Sequence, residues 1–137
     1  MLSGRYRTEA LCRFWTTNKA GKCLLPSCHN HHIKEDITHI LVQCMSLLET
    51  RQHLGTIFFS FVSTRPYIVP IIEKFLKSDD TYFQTQFLLD CSVLPEVIHL
   101  HQCHGFQILE DLFYLTRCWC YAVHRDRLRQ LNRWNIQ

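Results

Sequence analysis

No stretch of this 137-residue chain approaches the roughly 20 consecutive apolar residues of a membrane-spanning helix; its longest apolar run is IFFSFV. The N-terminal segment MLSGRYRTEALCRFW has no apolar core of the kind that directs secretion. Internal repeats, low-complexity tracts and long linkers are also missing, so a single domain spanning 1–137 is expected. A hydrophobic fraction of 47% with nine Phe is ample for a core and excludes global disorder. Eight cysteines would suit a disulfide scaffold in a secreted protein. Without a secretion signal, the expectation is an intracellular protein, nuclear or cytoplasmic, whose reduced cysteines serve metal binding or packing.

The cysteines are not scattered. Cys23, Cys28, His39 and Cys44 follow the spacing C-x4-C-x10-H-x4-C within CLLPSCHNHHIKEDITHILVQC. A structural Zn²⁺ takes four N/S ligands in a tetrahedron, usually as two close pairs separated by a longer loop. Pro26 and Ser27 favour a turn inside the first pair. The second pair lies on EDITHILVQC, which reads as a short helix with Asp36 as N-cap. Five residues rotate an ideal helix by about 140°, so His39 and Cys44 cannot share one straight helical face. The helix is therefore expected to end near Gln43, and Ser46-x-x-Glu49 reads as a capping box opening the next one. His29, His31 and His32 crowd the same loop, and any of them could take the place of His39. Alternatively, the cysteines are only buried hydrophobes.

The rest of the chain predicts an all-α fold, a small helical bundle with one structural zinc-binding loop. The parts are a basic N-terminal helix within 1–22, the metal segment 23–44, and a bundle over 46–137. Helices are expected over 4–16, 47–62, 66–77 and 81–90, the last being a helix or an extended connector. The helix LPEVIHLHQCH follows Ser92 and is closed by Gly105. The longest helix, 106–131, is apolar nearly all round in its first half, which implies packing against two neighbours. A second cluster, His99, His101, Cys103 and His104, places His99 and Cys103 at i, i+4, close enough to chelate as a pair. Ordinary core or surface roles are the expectation there. Cys12, Cys91, Cys118 and Cys120 read as packing residues.

Charge is segregated. Residues 1–22 carry five basic side chains against Glu9, and 117–137 carry five arginines against Asp126. The middle holds five basic and ten acidic residues. Basic ends flanking an acidic middle suggest an anionic partner; solvated helix faces are the plainer explanation. The residues suited to nucleic acid are Arg5, Arg7, Arg13, Lys22, Arg125, Arg129 and Arg133, with Trp134, His29 and His31 available to stack.

LSGRYRTEALCRFW, CLLPSC, EDITHILVQCMSLLETR and FYLTRCWCYAVHRDRLRQLNRWN together resemble the C-terminal end of LINE-type (non-LTR) retrotransposon reverse transcriptase polyproteins. The resemblance runs from Leu2 to Asn135 and is most specific in the C…C…H…C segment and the arginine-rich tail. It implies a zinc-knuckle-like CCHC site on Cys23, Cys28, His39 and Cys44, and a role in handling the element's RNA or target DNA. The chain has no YADD-type polymerase motif and no endonuclease signature, so neither catalytic activity is carried over. A fragment, a short reading frame or a host-adopted remnant is expected. Four protein ligands leave no open coordination position, which argues against hydrolytic metal chemistry. The expected function is non-catalytic binding of RNA or DNA with low specificity. A helical protein-interaction module, packing on the upstream polymerase region or another protein, is the competing class.

Overall fold

The computed structural model describes residues 22–28 and 31–136, with side chains described as far as Asn132. The helix expected over 4–16, with Arg5, Arg7, Arg13 and Cys12, lies outside the described residues, as does His29. Within them the fold is all-α, and the only β-type pairing is an isolated bridge between Lys22 and Lys34.

Five α-helices follow the metal segment: α1 Leu48–Val62, α2 Val69–Lys77, α3 Thr81–Asp90, α4 Pro95–His104 and α5 Gln107–Ile136. In α1 the run TIFFSFV is helical, with Leu54, Phe58 and Val62 buried at i, i+4, i+8 and Phe59 exposed. A 3₁₀ turn, Pro66–Ile68, precedes α2, and each of these two elements has a proline in its first turn, where the missing N–H leaves no helical bond unmade. Asp80 caps α3, its carboxylate accepting from the Phe83 amide at 3.1 Å. This settles 81–90 as a helix. Gly105, at φ 86°, ends α4 in a backbone region open mainly to glycine.

The helix α5 is the central element and runs beside α1, α3 and α4. Ile108, Leu112, Leu115, Trp119, Cys120 and Val123 are all buried along it. Burial of a large aliphatic or aromatic side chain is worth about 1.5–3 kcal/mol, so this stripe commits α5 to the interior. Trp119 packs edge-on against Phe58 and Phe75, with ring centroids 5.4 and 5.0 Å away, and Phe75 stacks on Phe87 at 4.6 Å. That aromatic cluster joins α1, α2, α3 and α5. Cys91 and Cys120 are buried as expected, whereas Cys118 is half-buried.

Candidate metal centre

The loop between Cys23 and Cys28 is built by local hydrogen bonds. The Cys23 amide donates to the Ile33 carbonyl at 2.8 Å and the Cys28 amide to the Leu25 carbonyl at 2.9 Å, closing a turn over Pro26 and Ser27. Leu25 is 1% exposed and anchors the loop in the core. On the far side, Asp36 caps the next turn as expected, its carboxylate accepting from the His39 amide at 2.8 Å.

How that turn closes is not what an α-helical pattern predicts. His39–Gln43 is a π-turn, and the Cys44 amide donates to the His39 carbonyl at 2.7 Å. The wider i→i+5 rung spans the second donor pair itself, so residues an α-helix would place about 140° apart come onto one side. The helical turn does end at Gln43; Cys44 is extended, with ψ 120°. The capping box does not form. A 3₁₀ turn, Met45–Leu47, leads into α1 with no side-chain cap. The Ser46 hydroxyl instead accepts from the Ser27 amide at 2.8 Å, tying the first donor loop to the chain just beyond Cys44.

These turns bring four donor atoms, from Cys23, Cys28, His39 and Cys44, to within 4.8 Å of one another. All four side chains are buried, none more than 4% exposed. Cys23 Sγ and Cys28 Sγ each lie 3.8 Å from Cys44 Sγ, and Cys28 Sγ lies 3.5 Å from His39 Nε2. A disulfide would need about 2.05 Å between sulfurs. Metal–sulfur bonds of about 2.3 Å and metal–nitrogen bonds of about 2.0 Å at tetrahedral angles give edges of about 3.8 Å and 3.5 Å. The cluster can hold a metal ion. Among the described residues it is the only converging group of three or more such donors.

Two of the three thiols resist ionisation. The hydrogen bond to Cys44, together with burial, pushes Cys23 up to about 12. Burial raises Cys28, and the hydrogen bond from Cys23 lowers Cys44. One thiolate is thus tolerated at the expense of its neighbours, and a bound cation is what lets all three ionise together. Arg51 stands beside them, its Nη1 donating to the Cys44 carbonyl at 2.5 Å. Burial depresses its guanidinium, while the charges of Cys44 and Cys28 act in the opposite sense.

His31 and His32 are exposed and outside the cluster; His32 Nδ1 meets Lys22 Nζ at 3.0 Å. His99 and Cys103 do approach, at 3.8 Å, but on an exposed surface with no third donor converging on them.

The metal segment and the chain leading into α1 are fastened to α5 from Trp119 onward, a connection absent from the sequence reading. Trp119 Nε1 donates to the Leu41 carbonyl at 3.0 Å, and Gln130 Nε2 to the Ser46 carbonyl at 2.8 Å. Thr50 Oγ1 donates to Asp126 at 2.6 Å. Arg127 forms a buried two-point ion pair with Glu35, at 2.5 and 3.4 Å. The signal was legible: Arg127 continues the stripe Trp119, Val123 at i+4, on the buried side of the helix.

The basic candidates are therefore unequal. Lys22 and Arg125 are exposed, and Arg129 is exposed but paired with Asp126 at 2.5 Å. The side chains of Arg133 and Trp134 lie outside those described. Among the described residues, no helix is long and apolar enough to cross a membrane. Comparison of the chain with protein-family models, characterised proteins and solved structures finds no match.

Proposed function

We propose that the chain is a zinc-stabilised, non-catalytic nucleic-acid-binding domain, derived from the C-terminal end of a non-LTR retrotransposon polyprotein. The observation that carries the zinc reading is the convergence of four buried donors with edges of 3.8, 3.8 and 3.5 Å. Three soft thiolates and one imidazole suit Zn²⁺ better than Ca²⁺ or Mg²⁺, which prefer oxygen ligands. Zinc with three thiolates carries one net negative charge, which Arg51 is placed to offset. The metal's role is structural, because four protein ligands leave no position for a reacting water. It holds Cys23–Cys28 and His39–Cys44 together, and through them the Glu35–Arg127 and Ser46–Gln130 contacts of α5.

The nucleic-acid reading is supported by the exposed cation Arg125 on α5 and by the sequence resemblance. The second reading is a protein-interaction module. It draws on exposed apolar side chains, with Phe106 75%, Tyr82 78% and Met45 59% exposed.

Zinc content of the purified chain and of a Cys28→Ser/His39→Ala variant tests the metal. The expected result is one zinc per parent chain, lost together with helicity in the variant. A folded, metal-free parent would refute it. Salt-titrated binding of RNA and DNA tests the function: a steep loss between low and moderate salt is expected, whereas salt-insensitive self-association would favour the interaction module.

A further inference from the structure

The exposed face of α5 carries aromatic rings interleaved with cations. Tyr114, Tyr121 and Arg125 fall within about 40° of arc on a helix of 100° per residue, with Arg117 on one flank of that stripe and Arg129 on the other. Tyr114 is 50% and Tyr121 52% exposed. The Tyr114 ring is held rather than free: it stacks on Phe61 of α1, centroids 5.4 Å apart and planes 25° from parallel. The Arg65 guanidinium lies 3.8 Å from the centroid of the same Phe61 ring. The surface is thus a guanidinium, two stacked rings and a further tyrosine about 10 Å along the helix, seven residues at 1.5 Å each. Arg125 follows one turn later.

Charge decides what such a face receives. The carboxylates of this region are occupied or off the stripe. Asp111 is buried and accepts from Tyr67, Gln107 and Arg65. Asp126 is buried and bonded to Thr50 and Arg129. Glu110 marks the acidic end; beyond it, to Asn132, the stripe carries no acid, and the cations outside those two ion pairs are Arg117 and Arg125. Rings with a free π-face beside cations match a single nucleic-acid strand, whose unpaired bases stack while its phosphates meet the arginines. A duplex keeps its bases inside and offers the tyrosines nothing to stack on.

We propose that the Tyr114–Tyr121–Arg125 face of α5, extended by Phe61 and Arg65, is a stacking platform for single-stranded RNA or DNA. The proposal rests on the nucleic-acid reading above and narrows it to a strand type and a surface. It adds Tyr114, Tyr121 and Arg65 to the residues that bear on binding, none of which charge alone singles out.

The test uses the full zinc-loaded chain, with fluorescence anisotropy of a labelled single-stranded 12-mer and of the matching duplex. The parent is expected to bind the single strand more tightly. Tyr114→Leu/Tyr121→Leu keeps apolar surface and helix propensity but removes both rings. It is expected to weaken single-strand binding at least about 20-fold, since each stacked base contributes roughly 5- to 150-fold. Tyr121→Ser, changing one half-exposed side chain, is expected to lose about fivefold or more with unchanged helicity, so that misfolding of the double variant leaves a readable result. Single-strand binding equal to the parent in both variants, or tighter binding of the duplex, would overturn the platform and leave the broader reading standing. No binding of either nucleic acid by the parent would overturn both.

Discussion

Arg127→Met is the sharpest probe of how the metal segment is held to the bundle. The Arg127 and Glu35 side chains are 5% and 1% exposed, and the pair is doubly hydrogen-bonded. Removing the guanidinium strands a carboxylate with no water to solvate it. Breaking a buried pair from one side typically costs about 3–5 kcal/mol, whereas replacing both partners with apolar groups is often neutral or stabilising. Glu35→Leu/Arg127→Met is therefore expected to lie within about 1–2 kcal/mol of the parent. At roughly 3–5 °C per kcal/mol for a chain of this size, the single variant should melt about 10–20 °C below the parent. Urea unfolding of zinc-loaded parent, both singles and the double would give the coupling directly, with an unchanged slope showing that only stability moved. Glu35 directly precedes Asp36, the cap of the turn bearing His39, so Arg127→Met should also speed zinc loss to a chelator. A single variant within 1 kcal/mol of the parent, or a double no more stable than the worse single, would refute this account of the anchor.

Trp119→Phe removes the donor to the Leu41 carbonyl while keeping a ring among Phe58 and Phe75; about 1–3 kcal/mol of stability should be lost, measured by the same unfolding curves. Asp126 should give the chain an acid-sensitive contact. Burial acts to raise its carboxyl, but hydrogen bonds from Thr50, Arg129 and Gln130 outweigh it and hold it below the ordinary value of 3.8. A depressed carboxylate adds stability that is present above its unfolded value and lost as pH falls through the folded one. Stability should therefore drop below about pH 4 by less in Asp126→Asn than in the parent, as read by thermal melts across pH. Gly105→Ala should lower stability by about 1–3 kcal/mol, because the penalty arises from φ 86° rather than from crowding, with nothing within 4 Å of the added Cβ. A loss below 0.5 kcal/mol would show that the α4–α5 link relaxes freely.

What the sequence determined by itself is local. Helical periodicity, the Asp36 cap and Gly105 are each read from neighbours in the chain; they placed α1 to α4 within three residues of their observed bounds, whereas α5, expected over 106–131, runs on to Ile136. The four donors were likewise legible, because a chelating set must repeat chemically suitable residues at short spacing. Whether His29, His31 or His32 stands in for His39 was left open by sequence; of those that are described, the tertiary structure turns His39 into the donor cluster and leaves His31 and His32 exposed. The π-turn between His39 and Cys44 was likewise not legible: no local propensity asks for an i→i+5 rung, and in the fold that rung accompanies the approach of His39 and Cys44 to one donor cluster. Ser46 shows the limit of local rules. Its capping motif was intact in sequence, yet its hydroxyl was claimed by the Ser27 amide from another loop. Charge was the least legible quantity. Arg127, Arg129 and Arg125 look alike in a count, but one is buried against Glu35, one is paired with Asp126, and Arg125 is exposed. Net charge is a property of composition; the field a partner meets depends on which charges the fold has already neutralised.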